Sequence, residues 1–138
     1  MLVKESLHHV QDRAAVIAGL ARLLRHGGRM LVVMLPNRIS YPLFADALEL
    51  FERRQPDPVG AADEMHAAGL DAELTYESFP LTFPTERYLR MVRSRYMSLL
   101  SAFDDEQLEA GVAEIQAAHP EEGISFTDTF AFVLGTAS

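Results

Sequence analysis

Six consecutive apolar residues, Met30-Leu31-Val32-Val33-Met34-Leu35, constrain this chain more than any other segment. A strand with one wet face alternates apolar and polar side chains. An unbroken apolar run fits a strand covered on both faces, hence an inner strand of an α/β sheet with helices packed on it. Pro36-Asn37 ends the run. Before it, residues 12–25 are predicted to be a helix. Ile17, Leu20, Ala21 and Leu24 recur at i, i+3, i+4 and i+7 as one buried stripe. Asp12 is placed to cap its start, and Gly27-Gly28 to stop it. Leu2-Val3, upstream, has the character of the tail of a strand.

The rest of the chain continues the alternation. Helices are expected over 41–54, with Phe44, Ala47, Leu48 and Phe51 on one face, and over 59–68, closed by Gly69. Leu70 to Phe79 alternates loosely, as a strand does, and Pro80 to Pro84 suggests a connector. A long helix is predicted over 85–103, with Leu89, Val92, Tyr96, Leu99 and Phe103 as its apolar stripe. Asp104 and Gln107 have the spacing of a capping box for a further helix. Residues 130–134 form a last apolar strand. The order of elements argues for a partly parallel α/β sheet.

Charge and composition narrow the function. The 138 residues carry a net charge of −8, against the basic surface that binding to a phosphate backbone requires. Residues 1–54 hold eight basic and five acidic side chains, and residues 55–138 four and fifteen. There is no cysteine, which removes disulfides, thiolate metal sites and cysteine nucleophiles. No apolar run approaches the roughly 20 residues of a membrane span. Neither nucleic acid nor membrane is expected as a partner, and a cytoplasmic setting is.

Three constellations could carry chemistry. Glu5-Ser6-Leu7-His8-His9 follows the first strand directly, where open α/β sheets place their ligands. An acid, a hydroxyl and two imidazoles there suit a site loop with histidine as general base. The same residues also suit a helix start that satisfies its own backbone. Arg87, Arg90 and Arg93 recur every three residues, with Arg95 close by, and are the only basic residues after Arg54. They could receive an anionic group, or pair with acidic neighbours. Gly27-Gly28 follows a helix and precedes a strand, the wrong order for a phosphate cradle. No G-x-G-x-x-G, G-x-x-x-x-G-K-[ST] or G-x-S-x-G occurs.

Glu5-Ser6-Leu7-His8-His9-Val10, Asp12, Leu23-Leu24-Arg25-His26-Gly27-Gly28-Arg29 and the apolar run 30–35 together resemble class I S-adenosylmethionine-dependent methyltransferases. The small-molecule, type 11 branch is the nearest in pattern, with "alHHv.d" after its fourth strand and "LL.PGG" before its fifth. His26 stands where that family usually has proline. The resemblance implies a partial Rossmann-like methyltransferase sheet: strands four to seven, the last antiparallel between five and six. It also implies a helical insertion at 80–120 between the last two strands. It implies S-adenosylmethionine as cofactor and a small-molecule methyl acceptor. Lys4, Glu5 and Ser6 would lie beside the cofactor, and His8 or His9 would act as base. Arg93, Arg95 and Tyr96 would hold the acceptor.

The family's strands one to three, its Gly-rich loop and its ribose-binding acid have no counterpart in residues 1–138. The expectation is therefore one C-terminal portion of a methyltransferase domain, partnered by a missing N-terminal half or by a second copy. The rival expectations are a non-catalytic module that binds or dimerises through its open sheet edge, and an unrelated small α/β binding protein.

Overall fold

The computed structural model describes residues 1–4 and 12–138. Four strands, β1 (Leu2–Lys4), β2 (Arg29–Met34), β3 (Leu70–Pro84) and β4 (Gly123–Ala137), form a sheet in the order β1-β2-β4-β3. β1 runs parallel to β2, with Leu2 opposite Leu31 and Lys4 opposite Val33. β4 runs antiparallel to β2, with Val133 opposite Val32. Hydroxyl pairs Ser78–Thr129 (2.9 Å) and Thr82–Ser125 (3.0 Å) step in opposite directions along β3 and β4, so these strands are antiparallel as well. The α/β class expected from the sequence is observed, and residues 30–34 of the apolar run lie on an inner strand, flanked by β1 and β4.

The helices are α1 (Arg13–Ala21), α2 (Ala45–Arg54), α3 (Pro58–Ala67), α4 (Thr85–Arg93) and α5 (Asp105–Ala118), with a 3₁₀ turn at Ser98–Ala102. Chain contacts divide the molecule into two compact units. The first comprises Met1–Asn37, Arg54–Ser78 and Thr129–Ser138, and the second Arg38–Arg53 and Phe79–Asp128.

In the first unit, Ile17, Met30, Val32, Met34, Ala61, Met65, Leu70, Ala131 and Val133 form the core. Leu20, Ala21 and Leu24 pack against it, so the predicted α1 stripe faces inward. Asp12 caps α1 through the Ala15 N–H. Asp57 caps α3 through the Val59 N–H, with Pro58 in the first turn, where its missing N–H costs nothing. The Arg13 guanidinium joins α1 to α3. It donates from Nε (2.7 Å) and Nη2 (3.0 Å) to the two Glu64 carboxylate oxygens. A Cβ at residue 60 would lie 2.6 Å from Nη2, so Gly60 leaves the guanidinium its place. Both partners are largely shielded from water, and removing one strands the other. Arg13→Ala is expected to lower stability by about 1–3 kcal/mol, and Arg13→Lys, which cannot bind both oxygens in a plane, to recover only part of it. Urea denaturation followed by circular dichroism checks both.

Four local expectations are corrected. α1 stops at Ala21, closed by Arg22 in ordinary helical geometry, so Gly27-Gly28 is not its cap. Gly27, at φ 73°, instead makes the turn into β2, and the Gly27 N–H and the Gly28 carbonyl bond to the Ala137 carbonyl and N–H. Pro80 to Pro84 is not a connector: β3 runs through it, because an edge strand tolerates residues without an N–H. β4 begins at Gly123, well before residue 130; its polar alternating half pairs with that long β3. The helix predicted over 85–103 breaks after Arg93.

That break shapes the second unit. Arg95 has φ 52°, a left-handed conformation that non-glycine residues rarely adopt. Its guanidinium donates to the Phe103 carbonyl (3.2 Å) and to Asp105 (2.9 Å), which holds the turn. The predicted capping box at Asp104 and Gln107 forms with both hydrogen bonds. α2 takes its first-turn acceptor from far away in the sequence: the Glu114 carboxylate of α5 receives the Ala45 N–H at 2.6 Å.

Candidate functional site

Two places carry the residues singled out by sequence. The first is the carboxyl end of β1. Lys4 is its last residue, in register with Val33. Glu5, Ser6, His8 and His9 follow it in sequence and lie outside the described residues.

The second is the region after the α4 break, in the second unit. Arg93 is bound by Glu109, Nε to Oε1 at 2.9 Å and Nη2 to Oε2 at 3.4 Å. Arg95 is bound by Asp105 and the Phe103 carbonyl. Both guanidinium groups therefore fasten α4 and its terminal turn to the α5 end of the unit. Arg87 lies over the Phe83 ring, 5.6 Å from its centre. The three arginines have three different partners.

Tyr96 has a different setting. Its hydroxyl meets the Tyr88 hydroxyl at 3.0 Å, and the two rings meet edge to face with centres 6.0 Å apart. Tyr88 is wholly buried against Phe83 (6.1 Å) and Phe126 (5.9 Å). Phe126 also touches Tyr41 (5.3 Å), whose hydroxyl donates to Asp128 Oδ1 at 2.5 Å. Three tyrosines, two phenylalanines and one carboxylate thus form a continuous group. Burial pushes the Tyr88 phenol far above the ordinary tyrosine range, and the neighbouring Tyr96 adds to this. Burial also raises Tyr96; the Tyr88 hydrogen bond opposes that shift and the Asp128 charge adds to it.

Of this group, sequence reasoning singles out Tyr96, as part of an apolar stripe, and misses Tyr41 and Asp128. One signal for Asp128 was available. Ile124, Phe126, Asp128 and Phe130 fall at every second residue, so one face of a strand carries a lone acid among apolar groups. No set of three acidic or histidine side chains among the described residues could hold a metal ion. No helix among them is long and apolar enough to cross a membrane.

No family model matches this sequence, and comparison with curated proteins finds no match. Solved structures do match. BH2331 of Bacillus halodurans C-125, provisionally described as a methyltransferase, superposes with a TM-score of 0.54 at 16% identity, over 98% of this chain and 67% of that one. The YcgJ protein of Bacillus subtilis superposes at 0.53 with 15% identity, over 99% and 63%. Phosphoethanolamine N-methyltransferase 2 of Haemonchus contortus superposes at 0.50 with 13% identity, over 99% and 32%. This chain therefore spans about two thirds of the first two proteins and one third of the last. At these identities the likeness is one of fold, and that fold is the α/β fold of methyltransferase structures.

Proposed function

We propose that this chain serves S-adenosylmethionine-dependent methyl transfer to a small-molecule acceptor, as the later portion of a methyltransferase domain. The observation that carries the reading is the sheet order β1-β2-β4-β3, with β4 antiparallel to β2. It accompanies a fold likeness to the Haemonchus enzyme, which has been solved with S-adenosylhomocysteine and with S-adenosylmethionine. In this reading β1, β2, β3 and β4 correspond to the family's strands four, five, six and seven. The helices between β3 and β4 are then the insertion at 80–120, and the setting is cytoplasmic.

The described residues do not make a complete cofactor cradle. The sequence has no G-x-G-x-x-G loop, and among the described residues β1 is the last strand on its side of the sheet. We therefore assign the rest of the cradle to a complementary segment paired with β1, an N-terminal half or a second copy. The cofactor would supply the methyl group. The chain's own part is to line the cofactor with Lys4, Glu5 and Ser6, and to take the acceptor's proton on His8 or His9. Arg93, Arg95 and Tyr96 would orient the acceptor. Alignment of two reactants supplies most of the rate in a direct displacement.

Calorimetry with S-adenosylhomocysteine tests this. The 138-residue chain alone is expected to show no binding. Fusion to a methyltransferase half that bears the strand and Gly-rich loop is expected to give micromolar binding. Tight binding by the chain alone would overturn the half-site reading. A folded fusion that binds nothing would overturn the methyltransferase reading.

A further inference from the structure

We infer that Tyr41, Tyr88, Tyr96, Phe126 and Asp128 form a recognition site for a small organic cation, an amine or quaternary ammonium group. The inference does not depend on methyl transfer, and binding alone tests it.

Aromatic faces attract cations through the ring quadrupole, most strongly where water is scarce. Here the rings are already assembled. Tyr88 forms a buried floor, with Phe126 and Tyr96 against it and Tyr41 against Phe126. The site is reachable, because Tyr96 keeps 37% of its surface in water and Tyr41, Phe126 and Asp128 are half-buried. The same group of rings already holds one cation, the Arg87 guanidinium over Phe83.

The carboxylate sets the sign of the ligand. Asp128 accepts the Tyr41 hydroxyl, and none of the ion pairs among the described residues involves it. Arg93, Arg95 and Arg87, on α4 and its terminal turn, have partners elsewhere: Glu109, Asp105 and the Phe83 ring. Its charge reaches Tyr96 and helps keep that phenol protonated. A half-buried carboxylate beside ring faces, with no countercharge from these arginines, favours a cation and repels an anion.

The backbone adds an independent sign. Arg95 adopts a left-handed conformation one residue before Tyr96, and strain of this kind gathers where a side chain must be delivered to a site. The strained turn brings the Tyr96 hydroxyl onto Tyr88. The Arg95 side chain itself points to α5, which leaves the ring surface to Tyr96.

The test is a titration of the 138-residue chain with choline and with 3,3-dimethyl-1-butanol, its neutral isostere. The chain has four tyrosines and no tryptophan, and three of those tyrosines lie in the cluster, so tyrosine emission reports the site directly. Choline is expected to give a saturable change and to bind at least about tenfold more tightly than the neutral isostere. Asp128→Asn, which keeps an oxygen for the Tyr41 hydroxyl, is expected to weaken choline by about tenfold at unchanged circular dichroism. Equal response to the two ligands, or no saturable response to choline, would overturn the proposal. So would undiminished choline binding by a folded Asp128→Asn chain. The wild-type comparison of the two ligands decides the matter even if the variant fails to fold.

Discussion

Gly111→Ala is expected to destabilise the second unit by about 1–2 kcal/mol, although alanine is a better helix former than glycine by about 1 kcal/mol. Gly111 lies inside α5, on the face that buries Leu108, Val112 and Ile115. A Cβ there would run into the Phe44 ring, 2.6 Å from Cγ and 2.7 Å from Cε1. The ring has little room to retreat, because it is 3% exposed and meets the Phe103 ring edge-on at 4.9 Å. Overpacking of a rigid aromatic outweighs the gain in helix propensity. Phe44→Leu should cost less in the Gly111→Ala background than in the wild type, since the smaller side chain yields the space the new methyl needs. Urea midpoints of the four proteins measure that coupling. A Gly111→Ala chain more stable than the wild type would show that the Phe44 ring moves aside freely. Gly135 offers a contrast: a Cβ there would meet Met65 Sδ at 2.8 Å and Leu70 Cδ1 at 2.9 Å. Those are the ends of flexible side chains, and Gly135→Ala should be tolerated better.

What could be read from the sequence, and what could not, divides along the range of the interactions. The β2 run, the α1 stripe, the Asp12 cap and the Asp104–Gln107 capping box all depend on residues within a few positions of one another, and all are found. The end of α4 could not be read, because the apolar stripe continues through Tyr96 and Leu99 with no glycine or proline to interrupt it. The turn is held instead by Arg95 reaching Phe103 and Asp105. The start of α2 depends on Glu114, 69 residues away. Pro80 was misleading because its effect depends on whether β3 is an edge or an inner strand, which only the finished sheet decides.

The candidate site follows the same division. Arg93 and Arg95 stood out by their spacing, and the fold pairs them with Glu109 and Asp105. Tyr41 and Asp128 are 87 residues apart and have meaning only as a pair. The histidine-bearing segment after β1 was legible as a pattern and lies outside the described residues.

Above the ordinary phenol range, the wild-type chain is expected to lose stability faster than Tyr88→Phe, and the two stability curves are expected to cross near pH ~11. Tyr88 is wholly buried, and burial raises its phenol far above its ordinary value of 10.0. The folded chain therefore holds the proton where the unfolded chain, titrating near 10.0, releases it. The contribution of a raised acid is fully present below the unfolded value and is lost as pH rises past it, by about 1.4 kcal/mol per pH unit for one phenol. At neutral pH the order is reversed. Tyr88→Phe gives up the 3.0 Å hydroxyl pair with Tyr96 and should be less stable by about 1 kcal/mol. A loss of about 1 kcal/mol by the wild type takes a little under one pH unit beyond the phenol's unfolded value, which places the crossing. The difference between their urea midpoints reports the Tyr88 phenol together with its hydrogen bond to Tyr96. Parallel curves through the alkaline range would mean that the phenol reaches water in the folded chain, and that the ring cluster around Phe126 is open beneath Tyr96.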